Sequence, residues 1–198
     1  MVVFGITGGS GSGKTSVSKM LEKLGVHIID TDVIAHEIVE TNSDCLNELV
    51  DYFGDSILND DKTLNRKKLA SIAFSDKQKT EALSNITHKY IKAEVVKDIN
   101  TTDAELVGID GAVIIGSNVE PLCEFIVSVI ADKQSRITRI KTRDNITDEQ
   151  AIQRINAQND DEFYKENSMY IIYNNGDIAQ LESDVVGLFN KIKGNSFE

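Results

Sequence analysis

The chain opens on a nearly unbroken apolar run, "MVVFGIT", which predicts a buried strand over 2–7. A glycine-dense stretch follows, and then "SVSKMLEKL" repeats apolar residues at spacings of three and four, which predicts a helix over 14–24. "VHIID" returns to a strand texture at 26–30. From there to about residue 100 the apolar period is helical, broken by the turn-like "GDSILNDDKTLN". Short apolar runs predict strands at about 105–109 and 125–130, helical periods predict helices at about 133–143 and 148–166, and "MYIIYN" predicts a last strand before a closing helix after Gly176. Five strands alternating with helices imply a parallel sheet covered on both faces, a three-layer α/β/α architecture. The helical stretch between the second and third strands is too long for an ordinary crossover. It reads as an insertion at about 31–103 that holds a second substrate. The single domain then divides into a core (about 1–30, 104–132 and 168–198), that insertion, and a lid at about 133–167.

Composition narrows the function. At 198 residues and 40% apolar content, one sizeable core is affordable in size terms. No 18-residue apolar run occurs and no basic region precedes an apolar one at the N-terminus, so neither a membrane span nor a signal peptide is expected. The expectation is a cytoplasmic protein with no membrane partner. Two isolated cysteines and three scattered histidines suit neither a disulfide framework nor a zinc site. A net charge of −11 argues against nucleic acid, which demands a broad basic face.

The glycine-dense stretch "GGSGSGKTS" carries the strongest chemical signal. Gly8, four residues, Gly13, Lys14 and Thr15 form the phosphate-binding loop pattern. Wrapping a polyphosphate with consecutive backbone N–H groups requires close approach, which side chains obstruct. The loop then meets a helix N-terminus, whose free N–H groups and dipole favour an anion. Gly9, Ser10, Gly11, Ser12, Gly13, Lys14, Thr15 and Ser16 are therefore expected to bind ATP. Lys14 reaches the β and γ phosphates, and the Thr15 hydroxyl ligates Mg²⁺ as the expected metal.

An acidic chain must gather local positive charge for that nucleotide. "DKQSRITRIKTRDN" does so, with Arg136, Arg139 and Arg143 along one helical face. Such a helix can be a solvated surface, or it can supply arginines to a charge-spreading transition state. After the second strand, Asp30 and Asp32 fall at its carboxyl end, where ligands of open α/β sheets lie. Asp32 reads either as a base for an attacking hydroxyl or as the cap of the following helix. Asp30 reads as orienting the metal shell or the loop lysine. Asp110 ends the apolar "ELVGID" as a Walker B aspartate does, or serves as a turn residue before Gly111. His27, His36 and His88 read as structural.

The guanine-specific Asn-Lys-x-Asp of GTPases and the Leu-Ser-Gly-Gly-Gln signature of transport ATPases are absent, and a short chain with an acidic pair after the second strand and an arginine-bearing helix before the last strand suits a small-molecule kinase. Here the chain resembles the dephospho-CoA kinase family over nearly its full length. "GITGGSGSGKTSVSKMLEKLGVHIIDTDVIAHEIVE" is similar to that family's opening, "FGDSILNDDKTLNRKKLASIAF" to its middle signature, "TRDNITDEQAIQRINAQ" to its lid and "YIIYNNG" to its adenine-side loop. The resemblance implies a P-loop kinase fold and transfer of the ATP γ-phosphoryl to the ribose 3′-hydroxyl of dephospho-CoA. It implies Asp32 as base, Lys14 as phosphate clamp and Arg139 as the lid arginine on the transferring group. Arg143, one helical turn on, is the second lid candidate and an expected ATP ligand. Arg66 falls among the acceptor-binding helices with Asp32 and Asp110, and Asn175 near adenine. The chain departs from the family pattern at Ala112 and Gly116, where proline and glutamate are usual, at Lys89 in place of a proline, and at Tyr173 in place of an aspartate. The other readings are a shikimate kinase, whose Gly-Gly-Arg-Gly element is missing, a binding-only paralogue that holds CoA or ATP without turnover, and a nucleotide switch. The expected assembly is a monomer or small homo-oligomer.

Overall fold

The structure, a computed structural model, describes residues 1–41 and 43–195. The opening apolar run forms β1 (Val2–Thr7), and the helical period after the glycines forms α1 (Lys14–Lys23), which buries Val17, Ser18 and Leu21. β2 (His27–Asp30) follows, with β3 (Leu106–Asp110), β4 (Phe125–Ile130) and β5 (Tyr170–Tyr173) completing the sheet. The sheet has five strands in the order β2-β3-β1-β4-β5, and every pairing is parallel. β3 is buried at all five positions, as a strand covered on both faces must be.

The chain divides into two compact units, Met1–Asp30 with Thr102–Glu198, and Thr31–Thr101. In the sheet unit, Phe4 and Ile6 of β1, Val127 and Val129 of β4, and Val17 and Leu21 of α1 share one core. The closing helix α9 (Ile178–Asn195) seals it with Leu181, Val185, Leu188 and Ile192, each three or four residues from the next. The helical unit holds α2 (Thr31–Glu37), α3 (Asp44–Phe53), α4 (Arg66–Ala73) and α5 (Lys77–Thr101). Ser43 caps α3 by accepting from the Leu46 N–H, and Asn65 caps α4 by accepting from the Lys68 N–H.

One expected helix is corrected. The stretch 148–166 is two helices, α7 (Asp148–Asn156) and α8 (Asp161–Glu166). Asp160 takes an extended conformation and accepts from the Phe163 N–H, so it starts a second helix rather than continuing the first. The preceding helix α6 (Lys133–Asp144) is capped by Asp132 and ends at Asn145, which is left-handed with φ +52°. α6 and α7 pack through Ile137, Ile140, Ala151 and Ile155. Among the described residues, no helix is long and apolar enough to cross a membrane.

Candidate active site

The loop between β1 and α1 is held from all sides. Gly13 caps α1 with a left-handed φ of +98°, and a Cβ there would lie 2.0 Å from the Asn174 amide nitrogen, so only glycine fits. At Gly8 the obstacle is the Val129 carbonyl oxygen, 2.4 Å from a Cβ. The Ser12 N–H donates to the Gly9 carbonyl at 3.0 Å, closing the turn. Among the described residues, the N–H groups of Gly11, Gly13, Lys14 and Thr15 have no protein acceptor. These donors gather at the positive end of α1, the arrangement an oligophosphate anion requires. Thr15 and Ser16 are exposed in the first turn of that helix.

Lys14 and Asp110 form an ion pair whose side chains are 14% and 4% exposed. The sheet register explains it: Asp110 is the last residue of β3, opposite Ile6 in β1 on one side and Asp30 in β2 on the other. The two aspartates and the loop therefore open at the same strand ends. This removes the turn-residue reading of Asp110, which is 3% exposed. Beside it a cleft of about 190 Å³ is lined by Thr7, Ala112, Val113, Gln158, Phe163 and Tyr164.

The basic helix α6 lies along the other side of the loop. Arg139 donates from Nη1 to the Gly11 and Ser12 carbonyls at 3.2 and 3.3 Å, and from Nη2 to the Asn174 carbonyl at 3.0 Å. Arg136, the first arginine of that face, donates from Nε to the Ser10 carbonyl at 2.9 Å. Arg143 is not brought to the loop. Its Nε and Nη2 fork onto Asp144 at 2.8 and 2.9 Å, which holds the Asp144 carboxyl below the ordinary aspartate range. Asn175 accepts from the Asp132 N–H at 2.8 Å, anchoring the start of α6.

Asn174 and Gln158 escape a sequence reading, and Arg136 is legible there only as one arginine of a basic face. Asn174 is buried and donates to the Ser12 carbonyl at 2.8 Å. Gln158 accepts from the Ser10 N–H at 2.7 Å, and the buried Arg136 grips the same residue. All three lie more than 120 residues from their loop partners, so only the double-asparagine "YNNG" and the basic helix hinted at them.

Asp32, Arg66 and Lys89 belong to the helical unit, Gly116 and Cys123 to the sheet unit. Asp32 lies in the first turn of α2, one residue inside the helix rather than at its cap. Its backbone carbonyl is 2.9 Å from His36 Nδ1. Arg66 opens α4 and donates to the His36 carbonyl at 3.4 Å. At the departure from the family pattern, Lys89 pairs with Glu48 at 2.7 Å, and the Tyr90 hydroxyl donates to the same carboxylate. Those two partners lower the Glu48 pKa. Gly116 has φ +78°, and its N–H donates to Glu120 Oε2 at 2.5 Å, a turn that glutamate at 116 would strain. Cys123 is pushed up to about 12 by burial, which keeps it a protonated packing residue.

The comparisons with known proteins agree with this geometry. The dephospho-CoA kinase family model matches residues 2–180. A dephospho-CoA kinase of Lactobacillus johnsonii is 34% identical over 191 residues, covering 95% of this chain and 96% of that protein. Among solved structures, TT1252 of Thermus thermophilus superposes with a TM-score of 0.83 at 24% identity, over 96% of this chain and 97% of that one, a likeness of fold. The dephospho-CoA kinase of Campylobacter jejuni gives 0.69 at 26% identity and covers 98% of both chains. A parallel five-stranded kinase fold, a glycine-moulded anion loop and a match along nearly the whole sequence converge on one statement: the chain belongs to the dephospho-CoA kinase family.

Proposed function

We propose that this kinase transfers the γ-phosphoryl of ATP to the ribose 3′-hydroxyl of dephospho-CoA, giving coenzyme A and ADP. The observation that carries the reading is the Lys14–Asp110 pair at the mouth of the loop. It keeps an ammonium beside the unclaimed N–H groups, ready to exchange a carboxylate for phosphate oxygens. The acceptor hydroxyl attacks phosphorus, the bond from phosphorus to the β–γ bridging oxygen breaks, and the hydroxyl proton passes to Asp32. Lys14 and the loop N–H groups stabilise the charge that gathers on the bridging and γ oxygens. Arg139 adds its charge from the α6 side. Asp32, Asp110 and Arg66 orient the acceptor side, Asp30 orients the metal shell or the loop lysine, and Asn175 and Arg143 flank the nucleotide.

The exposed Thr15 hydroxyl beside the Lys14–Asp110 pair is a hard oxygen donor of the kind Mg²⁺ takes. When bound with ATP, Mg²⁺ neutralises phosphate charge and leaves the protein to position the nucleophile. The helical unit Thr31–Thr101 is the proposed acceptor-binding insertion, the sheet unit the nucleotide core, and 133–167 the lid. The proposed setting is the cytoplasm. ADP release measured with dephospho-CoA, with shikimate and with no acceptor tests the reading. Turnover with dephospho-CoA alone supports it. Turnover with shikimate, or with no acceptor only, overturns it, and ATP binding without turnover on any acceptor marks a binding-only protein.

A further inference from the structure

Arg136 differs from every other cation of its helix. It is 4% exposed, while Lys133, Arg139, Lys141 and Arg143 all retain solvent contact. Its Nε is spent on the Ser10 carbonyl at 2.9 Å, and its Nη1 reaches Asp161 Oδ1 of α8 at 3.4 Å. Its Nη2 is buried with no partner among the described residues. Burying a guanidinium with one edge unsatisfied is costly. The cost is tolerated where the geometry serves something besides stability.

The geometry around Gly9 identifies that service. A Cβ at Gly9 would lie 2.3 Å from Arg136 Nη2, 2.9 Å from Cζ and 3.3 Å from Nη1, so the three nearest atoms all belong to one guanidinium. Gly9 is not among the glycines with positive φ, so its backbone conformation would accept an alanine. A side chain at 9 would have to displace the guanidinium that rests there. Gly11 is moulded on the same residue: its φ is +77°, and a Cβ would lie 2.7 Å from the Arg136 carbonyl oxygen.

We propose that Arg136 is the positioning residue of the phosphate loop. Its guanidinium clamps the Gly9–Gly11 apex to α6 and, through Asp161, to α8, so that the loop N–H groups are aimed before the polyphosphate arrives. Its buried charge also makes the loop attractive to an anion without touching one. The inference rests on the reading of this loop as the ATP site.

The test is a double-mutant cycle on the full chain, read by calorimetric titration with MgATP and by thermal melts. Arg136→Gln is expected to weaken ATP about 10- to 100-fold, the effect of a misplaced site, while the KM for the acceptor at saturating ATP stays put. Gly9→Ala alone is expected to weaken ATP comparably. The pair is expected to be no worse than the worse single variant, because the clash vanishes with the guanidinium. A lower melting temperature with ATP affinity within about twofold of wild type would make Arg136 a packing residue only and overturn the proposal. Fully additive losses in the pair would do the same. Asp161→Asn, at a carboxylate 42% exposed, keeps the test open if the Arg136 variants do not fold. It should weaken ATP measurably through the Nη1 contact, and unchanged ATP affinity there overturns the clamp. Wild-type protein that binds no ATP sinks the loop reading and the clamp with it, whereas normal wild-type binding with the negative results above sinks the clamp alone.

Discussion

The two units hold their polar groups in opposite ways. In the sheet unit Lys14, Arg139 and Asn174 are buried or half-buried, and their partners are distant in sequence: Lys14 with Asp110, Arg139 with Gly11 and Ser12, Asn174 with Ser12. In the helical unit the Lys89–Glu48 ion pair is exposed, and with the half-buried Tyr90 hydroxyl on the same carboxylate it joins neighbouring helices. α5 shows the same looseness, with only Ile86 and Val95 buried among its 25 residues. A charge removed from water is worth far more, and costs far more when its partner is lost, than one that water screens. The difference teaches where single substitutions will matter. The sheet unit behaves as a preset electrostatic device, and the helical unit, away from Asp32 and Arg66, as a surface that tolerates change.

The sharpest way to break this comparison is Lys14→Ala. It deletes the loop ammonium, so turnover at saturating ATP should fall by about 10³-fold, the loss of a preorganised charged donor. Wild-type ADP release from a folded variant would end the proposed role of Lys14.

Asp32→Asn comes next, and it probes the one residue of the helical unit for which chemistry is proposed. Removing its basicity should lower kcat by about 10²-fold, the low end for a general base, because a loose transition state asks little of it. The melting temperature, read alongside kcat, separates a loss of basicity from a loss of fold. Asp30→Asn is the control, and a fully active Asp32→Asn protein shifts the search for the base to Asp110.

Arg139→Ala sharpens the picture of the loop's flank. Three carbonyls lose a charged donor, so a stability loss of about 1–3 kcal/mol should accompany a fall in kcat of about tenfold. Arg143→Ala should lower kcat less than Arg139→Ala and act mainly on the KM for ATP, because its fork is held by Asp144 beside the nucleotide it is proposed to flank. Rate profiles of the two variants side by side check this, and equal losses would erase the distinction.

The smallest effects concern the exposed carboxylates. The Ser135 N–H and hydroxyl lower the Asp132 pKa, Arg143 and Arg154 lower that of Asp144, and Lys89 and Tyr90 lower that of Glu48. A depressed folded-state pKa means stability that is present above the ordinary carboxylate value of about 4 and is lost as the pH falls through the lower folded value. Melting curves taken downward from neutrality should therefore hold until that window and then drop. Glu48→Gln should move neither kcat nor the KM for ATP, and a large change in either would show that the helical unit is not the tolerant half.

Much of the fold was legible because it follows from periodicity. Apolar runs of four to six residues can only be covered strands here, and the spacing of Val17 and Leu21, or of Leu181, Val185 and Leu188, can only be one face of a helix. The break at 157–160 was missed because both flanks are helical and polar, so that only the hydrogen bond from Phe163 N–H to Asp160 decides it.

The sequence by itself determined the anion loop, since backbone donors in a tight turn demand glycine at fixed spacing and leave a one-dimensional pattern. It also determined that Asp30 and Asp110 sit at strand ends beside that loop, because parallel strands in register carry their carboxyl termini to one edge. Only the tertiary structure decided which partners those groups take. Arg136 and Arg143 read alike on one helical face, yet one is buried against Gly9 and the other is exposed on Asp144, and Asn174 rather than Asn175 supports the loop. Those choices depend on how α6 and the end of β5 meet residues more than 100 positions away, and desolvation, which separates a decisive charge from an idle one, has no signature in a linear pattern.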